Sequence, residues 1–159
     1  MAYIINMDRN DYPSPRTFKC DEAGRLQRGL LLEIVGIANN EVWLGAGEAD
    51  NECYKVQLAS ATSARENLMI HTTVCLQYDE RLTEKDFVLK EGEIGRGHLI
   101  KSGDEYTLPA DMITAATTVG DEVGLGANGK LDGGAGVKIG VVTKVYTWNG
   151  QESMRVRFY

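Results

Sequence analysis

Asn149-Gly150 divides the end of the chain into two runs of alternating apolar and polar residues, Val141 to Trp148 and Gln151 to Phe158. Both central positions of a two-residue hairpin turn need positive φ, which Asn and Gly tolerate, so this pair dictates a β-hairpin. The two-residue loop also sets a register. Trp148 is expected opposite Gln151, Tyr146 opposite Ser153, Val145 opposite Met154 and Lys144 opposite Arg155. Further from the turn, Thr143 faces Val156, Val142 faces Arg157 and Val141 faces Phe158. One side then carries Val141, Val145, Met154, Val156 and Phe158 into a core. The other carries Lys144, Tyr146, Trp148, Arg155 and Arg157. A one-residue slip would mix the two sets, so the register is well specified.

The rest of the chain reads the same way. Strand-like runs lie at Leu30–Ile37, Glu41–Leu44, Tyr54–Leu58, Leu68–Gln77, Phe87–Leu89, Gly97–Ile100, Glu105–Leu108 and Glu122–Leu125, with 18 glycines among and between them. Residues 59–67 are compatible with a short helix or a loop, and residues 79–86 with one helical turn. No helical pattern is long enough for a βαβ crossover. The expected fold is therefore mainly β: a β-sandwich or β-barrel of short antiparallel strands with Gly-rich turns and at most one or two short helices. Residues 1–29 are sparse in apolar side chains, and Tyr12-Pro13-Ser14-Pro15 favours extended backbone. They read as an extended N-terminal arm, with Tyr12 and Phe18 available to bury against a neighbour. Residues 30–159 then form a single β domain.

A chain of 159 residues buries a core without staples. Its net charge of −6 argues against nucleic acid as the partner of the whole domain. The cysteines Cys20, Cys53 and Cys75 are odd in number and lack C-x-x-C spacing, which indicates neither a disulfide framework nor a zinc clamp. The N-terminus shows neither a signal peptide nor a membrane span, so a reducing cytoplasm is expected. No cofactor and no metal site is expected.

Several motifs invite chemical readings. Gly124-Leu125-Gly126-Ala127-Asn128-Gly129-Lys130 fits two phosphate-loop patterns. However, the glycine-rich stretch that follows cannot open the helix whose amides such a loop needs. Asn128-Gly129 reads better as another hairpin turn. Cys75 and His98 form a nucleophile–base pair only if the fold brings them together. Carboxylates are abundant in turn-like contexts and define no pair. Gly103-Asp104-Glu105 and Gly120-Asp121-Glu122 begin a faint internal echo, which a turn, a strand and another turn produce without duplication. The cationic, aromatic hairpin face is the strongest candidate site. Its like charges across the ladder repel and need something to offset them, and Trp and Arg are common interface anchors.

Phe87-Val88-Leu89-Lys90-Glu91-Gly92-Glu93, Gly103-Asp104-Glu105-Tyr106 and the segment Val119 to Leu131 together resemble capsid decoration, or head-stabilising, proteins of tailed bacteriophages. The resemblance covers about the last half of the chain. It implies a non-enzymatic structural protein on the exterior of a virion, assembled in the host cytoplasm. Its partner would be the major capsid protein, and homotrimers at threefold points are the favoured arrangement. The alternative is a carbohydrate- or host-surface-binding β module of a fibre or baseplate, with Trp43 and Trp148 as stacking platforms.

Overall fold

The structure, a computed structural model, describes residues 6–9, 15–19, 25–37, 53–73 and 88–159. It is mainly β and contains a closed five-stranded barrel beside a seven-stranded sheet. The barrel runs in the order β2 (Pro15–Lys19), β5 (Cys53–Leu58), β4 (Leu31–Ile37), β6 (Leu68–His71), β8 (Ile94–Leu99). The sheet runs β1 (Asn6–Arg9), β9 (Glu105–Pro109), β14 (Gln151–Phe158), β13 (Lys138–Trp148), β11 (Glu122–Leu125), β12 (Leu131–Asp132), β10 (Ile113–Thr114). A small ladder pairs β3 (Arg25–Leu26) with β7 (Leu89–Lys90). Two 3-10 turns, Arg65–Asn67 and Ala110–Met112, supply the short helical pieces. The expected strand at 41–44 and the helical turn at 79–86 lie outside the described residues.

Period-two alternation explains the barrel. Leu32 sits opposite Met69 and Leu58, and Ile34 opposite Val56, which directs one set of side chains into the lumen. Phe18 and His71 meet there edge to face, with centroids 5.4 Å apart. A small barrel has little interior space, and β8 supplies some by placing glycines on its inner side. A Cβ on Gly95 would fall 2.6 Å from the Phe18 ring, and one on Gly97 would fall 2.5 Å from Met69. The alternate residues Leu31, Leu68 and Ile70 point outward yet are buried, because they belong to one core shared with Leu125, Leu131 and Ile139 of the sheet side.

The N-terminal segment is not an arm set apart from the domain. β2 pairs with β8 and β5 as a barrel stave, β1 pairs with β9 at the sheet edge, and β3 pairs with β7. These strands are too short, and their partners too distant in sequence, for local pattern to reveal them. Phe18 is fully buried in its own barrel, so it is a core residue and not an anchor for a neighbour.

The hairpin has the expected turn, with φ of 48° at Asn149 and 73° at Gly150. Its register follows expectation from Trp148↔Gln151 back to Lys144↔Arg155, then shifts. Val142 pairs with Val156, Val141 with Arg157, and Gly140 with Phe158, so Thr143 is the extra residue of a β-bulge. The bulge turns Val142 inward in place of Val141. Gly140 then stands opposite the Phe158 ring, where a Cβ would approach Val156 to 3.0 Å. Met154, Val156 and Phe158 are buried as expected, whereas Val141 is half-buried and Val145 is 45% exposed.

The Gly-Asp-Glu echo is a shared local geometry. Gly103 and Gly120 both take positive φ, at 93° and 96°. The Gly103 amide donates to the Phe158 carbonyl while the Phe158 amide donates to the Asp104 carbonyl, at 2.8 and 2.9 Å. Gly120, Val142 and Asp121 repeat both bonds at the same distances. Each aspartate also accepts a nearby backbone amide, Lys101 for Asp104 and Thr117 and Thr118 for Asp121. β9 and β11 therefore dock on opposite sides of the β13–β14 ribbon in the same way.

Candidate functional site

The cationic residues of the ribbon are organised around one ring. The register keeps Lys144 directly opposite Arg155 and Tyr146 opposite Ser153. Lys144 Nζ lies 4.4 Å from the Tyr146 ring centroid, and Arg155 Cζ lies 5.8 Å from it. The electron-rich ring face attracts each cation, by about 0.5–1 kcal/mol at sites of this exposure. That offsets the repulsion expected between two like charges across a ladder. Tyr146 is itself held, because its hydroxyl shares a 2.6 Å hydrogen bond with Thr107 Oγ1. Trp148 packs edge to face on Tyr146, with centroids 6.3 Å apart.

The neighbouring strand completes the face. Arg155 stands opposite Thr107 and Arg157 opposite Glu105, so a carboxylate is the cross-strand neighbour of the outermost cation. Thr107 and Ser153 are buried and form the floor, while Lys144 and Arg157 are exposed. Sequence reasoning missed Thr107 and Glu105. Their strand alternates Glu and Thr with buried Tyr106 and Leu108, which assigns a face, but nothing local indicates that β9 lies beside β14.

At the turn end of this face, two polar atoms are buried without a hydrogen-bond partner: Trp148 Nε1 and Gln151 Oε1. They belong to the last rung before the Asn149-Gly150 turn.

The other expected sites fall into structural roles or outside view. The Gly124–Lys130 motif forms a turn whose Asn128 and Gly129 have φ of 56° and 73°. The Gly129 amide donates to the Ala59 carbonyl at 2.9 Å, and the Gly129 carbonyl accepts the Leu31 amide at 2.8 Å. The amide of that glycine is thus committed to the barrel, and a short strand follows it where a phosphate loop would open a helix. His98 shares a 2.7 Å hydrogen bond with Thr72 Oγ1. Burial first, then the neighbouring Arg96, push its pKa down. Cys75, Tyr12 and Trp43 lie outside the described residues.

His71 is a satisfied core histidine. Its Nδ1–H donates to the Gln27 carbonyl at 2.8 Å. That tautomer leaves Nε2 to accept from the Thr73 hydroxyl at 2.7 Å, and Thr73 Oγ1 in turn accepts the Arg96 amide at 2.9 Å. Burial, helped by the nearby Arg28 charge, lowers the His71 pKa to about 4 and outweighs the Gln27 carbonyl that favours protonation.

Among the described residues, no helix is long and apolar enough to cross a membrane. Comparison with models of known families and with curated proteins finds no match for this chain.

Proposed function

We propose that the protein is a non-enzymatic structural protein that docks on the outside of an assembled phage capsid through the Lys144–Tyr146–Arg155–Arg157 face and bridges neighbouring capsid subunits. One observation carries the docking reading. A chain of net charge −6 concentrates cations around a fixed aromatic ring on one sheet face. Such a face suits an acidic protein surface, where charge complementarity steers encounter and fixes orientation. The rigid double-unit body suits a clamp, and the resemblance to decoration proteins supplies the identity of the shell and the favoured trimer.

Co-sedimentation with purified phage capsids stripped of their outer proteins tests this. The intact protein is expected to pellet with the shells. Lys144→Glu together with Arg157→Glu should weaken pelleting at least tenfold at low salt, with the melting curve unchanged. Absence of binding by the intact protein overturns the reading. The packing of Trp148 on Tyr146 favours glycan recognition as a second reading. Glycan-array binding lost in Trp148→Ala, with no capsid binding, would establish that alternative.

A further inference from the structure

The Trp148–Gln151 rung is unusual in what it leaves unmade. A buried donor or acceptor without a partner destabilises the free protein, and here one of each sits on two residues directly opposed across the ladder. The indole N–H is donor only, and the Gln151 carbonyl oxygen is an acceptor. One peptide group, which offers a C=O and an N–H, is the chemical complement of this pair. Both side chains are half-buried, so the rung reaches the surface, and packing on Tyr146 fixes the indole plane. On the same face Lys144 lies four residues along the strand, about 13 Å away at ordinary strand rise. A cation at that spacing selects an extended segment with a carboxylate four residues from the anchored amide.

We propose that this rung anchors one main-chain peptide group of an extended acidic segment of the partner. The Trp148 indole N–H donates to its carbonyl, Gln151 Oε1 accepts its N–H, and Lys144 and Arg155 take carboxylates further along. This rests on the docking reading above and specifies the partner's chemistry.

The probe is the acetylated, amidated peptide Ala-Glu-Ala-Glu-Ala-Glu, compared with a polyacrylate oligomer of similar charge that has no peptide groups. The readout is the Trp148 indole ¹H–¹⁵N signal, identified by its disappearance in Trp148→Phe. The peptide should move that signal downfield, whereas polyacrylate should leave it in place. Trp148→Phe and Gln151→Met should each weaken peptide binding roughly three- to tenfold and leave polyacrylate binding unchanged. Neither substitution should lower the melting temperature, because each removes an unsatisfied group. An indole signal indifferent to the peptide, or variants that weaken both ligands equally, overturns the proposal. A peptide-specific indole shift without capsid binding would sink the capsid reading alone. Capsid binding with a silent indole would sink the anchor alone.

Discussion

In the barrel, the buried polar side chain His71 has both ring nitrogens matched, and Phe18 lies against it in space that Gly95 helps to vacate. On the outer face of the sheet, cations are held against a ring and the last rung keeps a donor and an acceptor unpaired. Both regions are built from alternating strands, yet one closes its chemistry inward and the other presents it. The difference follows from curvature. Closure leaves a barrel strand one small interior to fill, whereas an open sheet keeps a second face for polar groups.

The sharpest way to break this contrast is to empty the barrel. Phe18→Ala should destabilise the protein by about 3–5 kcal/mol, read from denaturant midpoints. A loss below about 1 kcal/mol would mean that Phe18 is not the lumen's main filler. Removing residues 1–19 should likewise abolish cooperative unfolding of the barrel, which would not happen if the segment were a detachable arm.

Acid should act on the barrel first. The folded pKa of His71 lies below the ordinary value of 6.5, so the folded state binds its proton less readily than the unfolded chain does. Stability is therefore full above pH 6.5 and falls as pH drops from 6.5 through about 4, by about 3 kcal/mol in total. His98 shifts in the same direction. Chemical denaturation at several pH values should show this slope, and His71→Gln should flatten most of it. An unchanged slope in that variant would show that His71 is not the group responsible.

On the sheet the expected effects are smaller. Tyr146→Phe leaves the buried Thr107 hydroxyl without its partner and should cost about 1–2 kcal/mol. Lys144→Gln removes one cation–π contact and should cost about 0.5–1 kcal/mol, with a weaker salt dependence of unfolding. If Lys144→Gln instead stabilises the fold, repulsion from Arg155 outweighs the ring.

These regions also differ in how far the sequence discloses them. The Asn149-Gly150 turn is local chemistry, and it carried the register correctly back to Lys144. The bulge at Thr143 was hidden because Val141, Val142 and Thr143 are all β-branched and suit either side of a strand. The fit of Phe158 opposite Gly140 decides between them, and that fit belongs to tertiary packing. Phe18 looked like an exposed aromatic in a polar segment because the glycines that accommodate it are far away in the chain. The cations were legible as a face, but the offset Tyr146 provides depends on ring placement, and Thr107 and Glu105 arrive from a strand whose pairing no local pattern announces.

The Gly129 turn links the two units by main chain, giving a hydrogen bond to Ala59 and taking one from Leu31. Gly129 cannot be replaced without disturbing this clasp, since a Cβ would come within 2.6 Å of the Leu31 carbonyl. A mechanical load applied at the ribbon tip therefore reaches the barrel partly through backbone bonds, which yield less readily than interdigitated side chains. Strain from whatever the ribbon grips would be spread over both halves of the molecule, with no hinge at this clasp to absorb it.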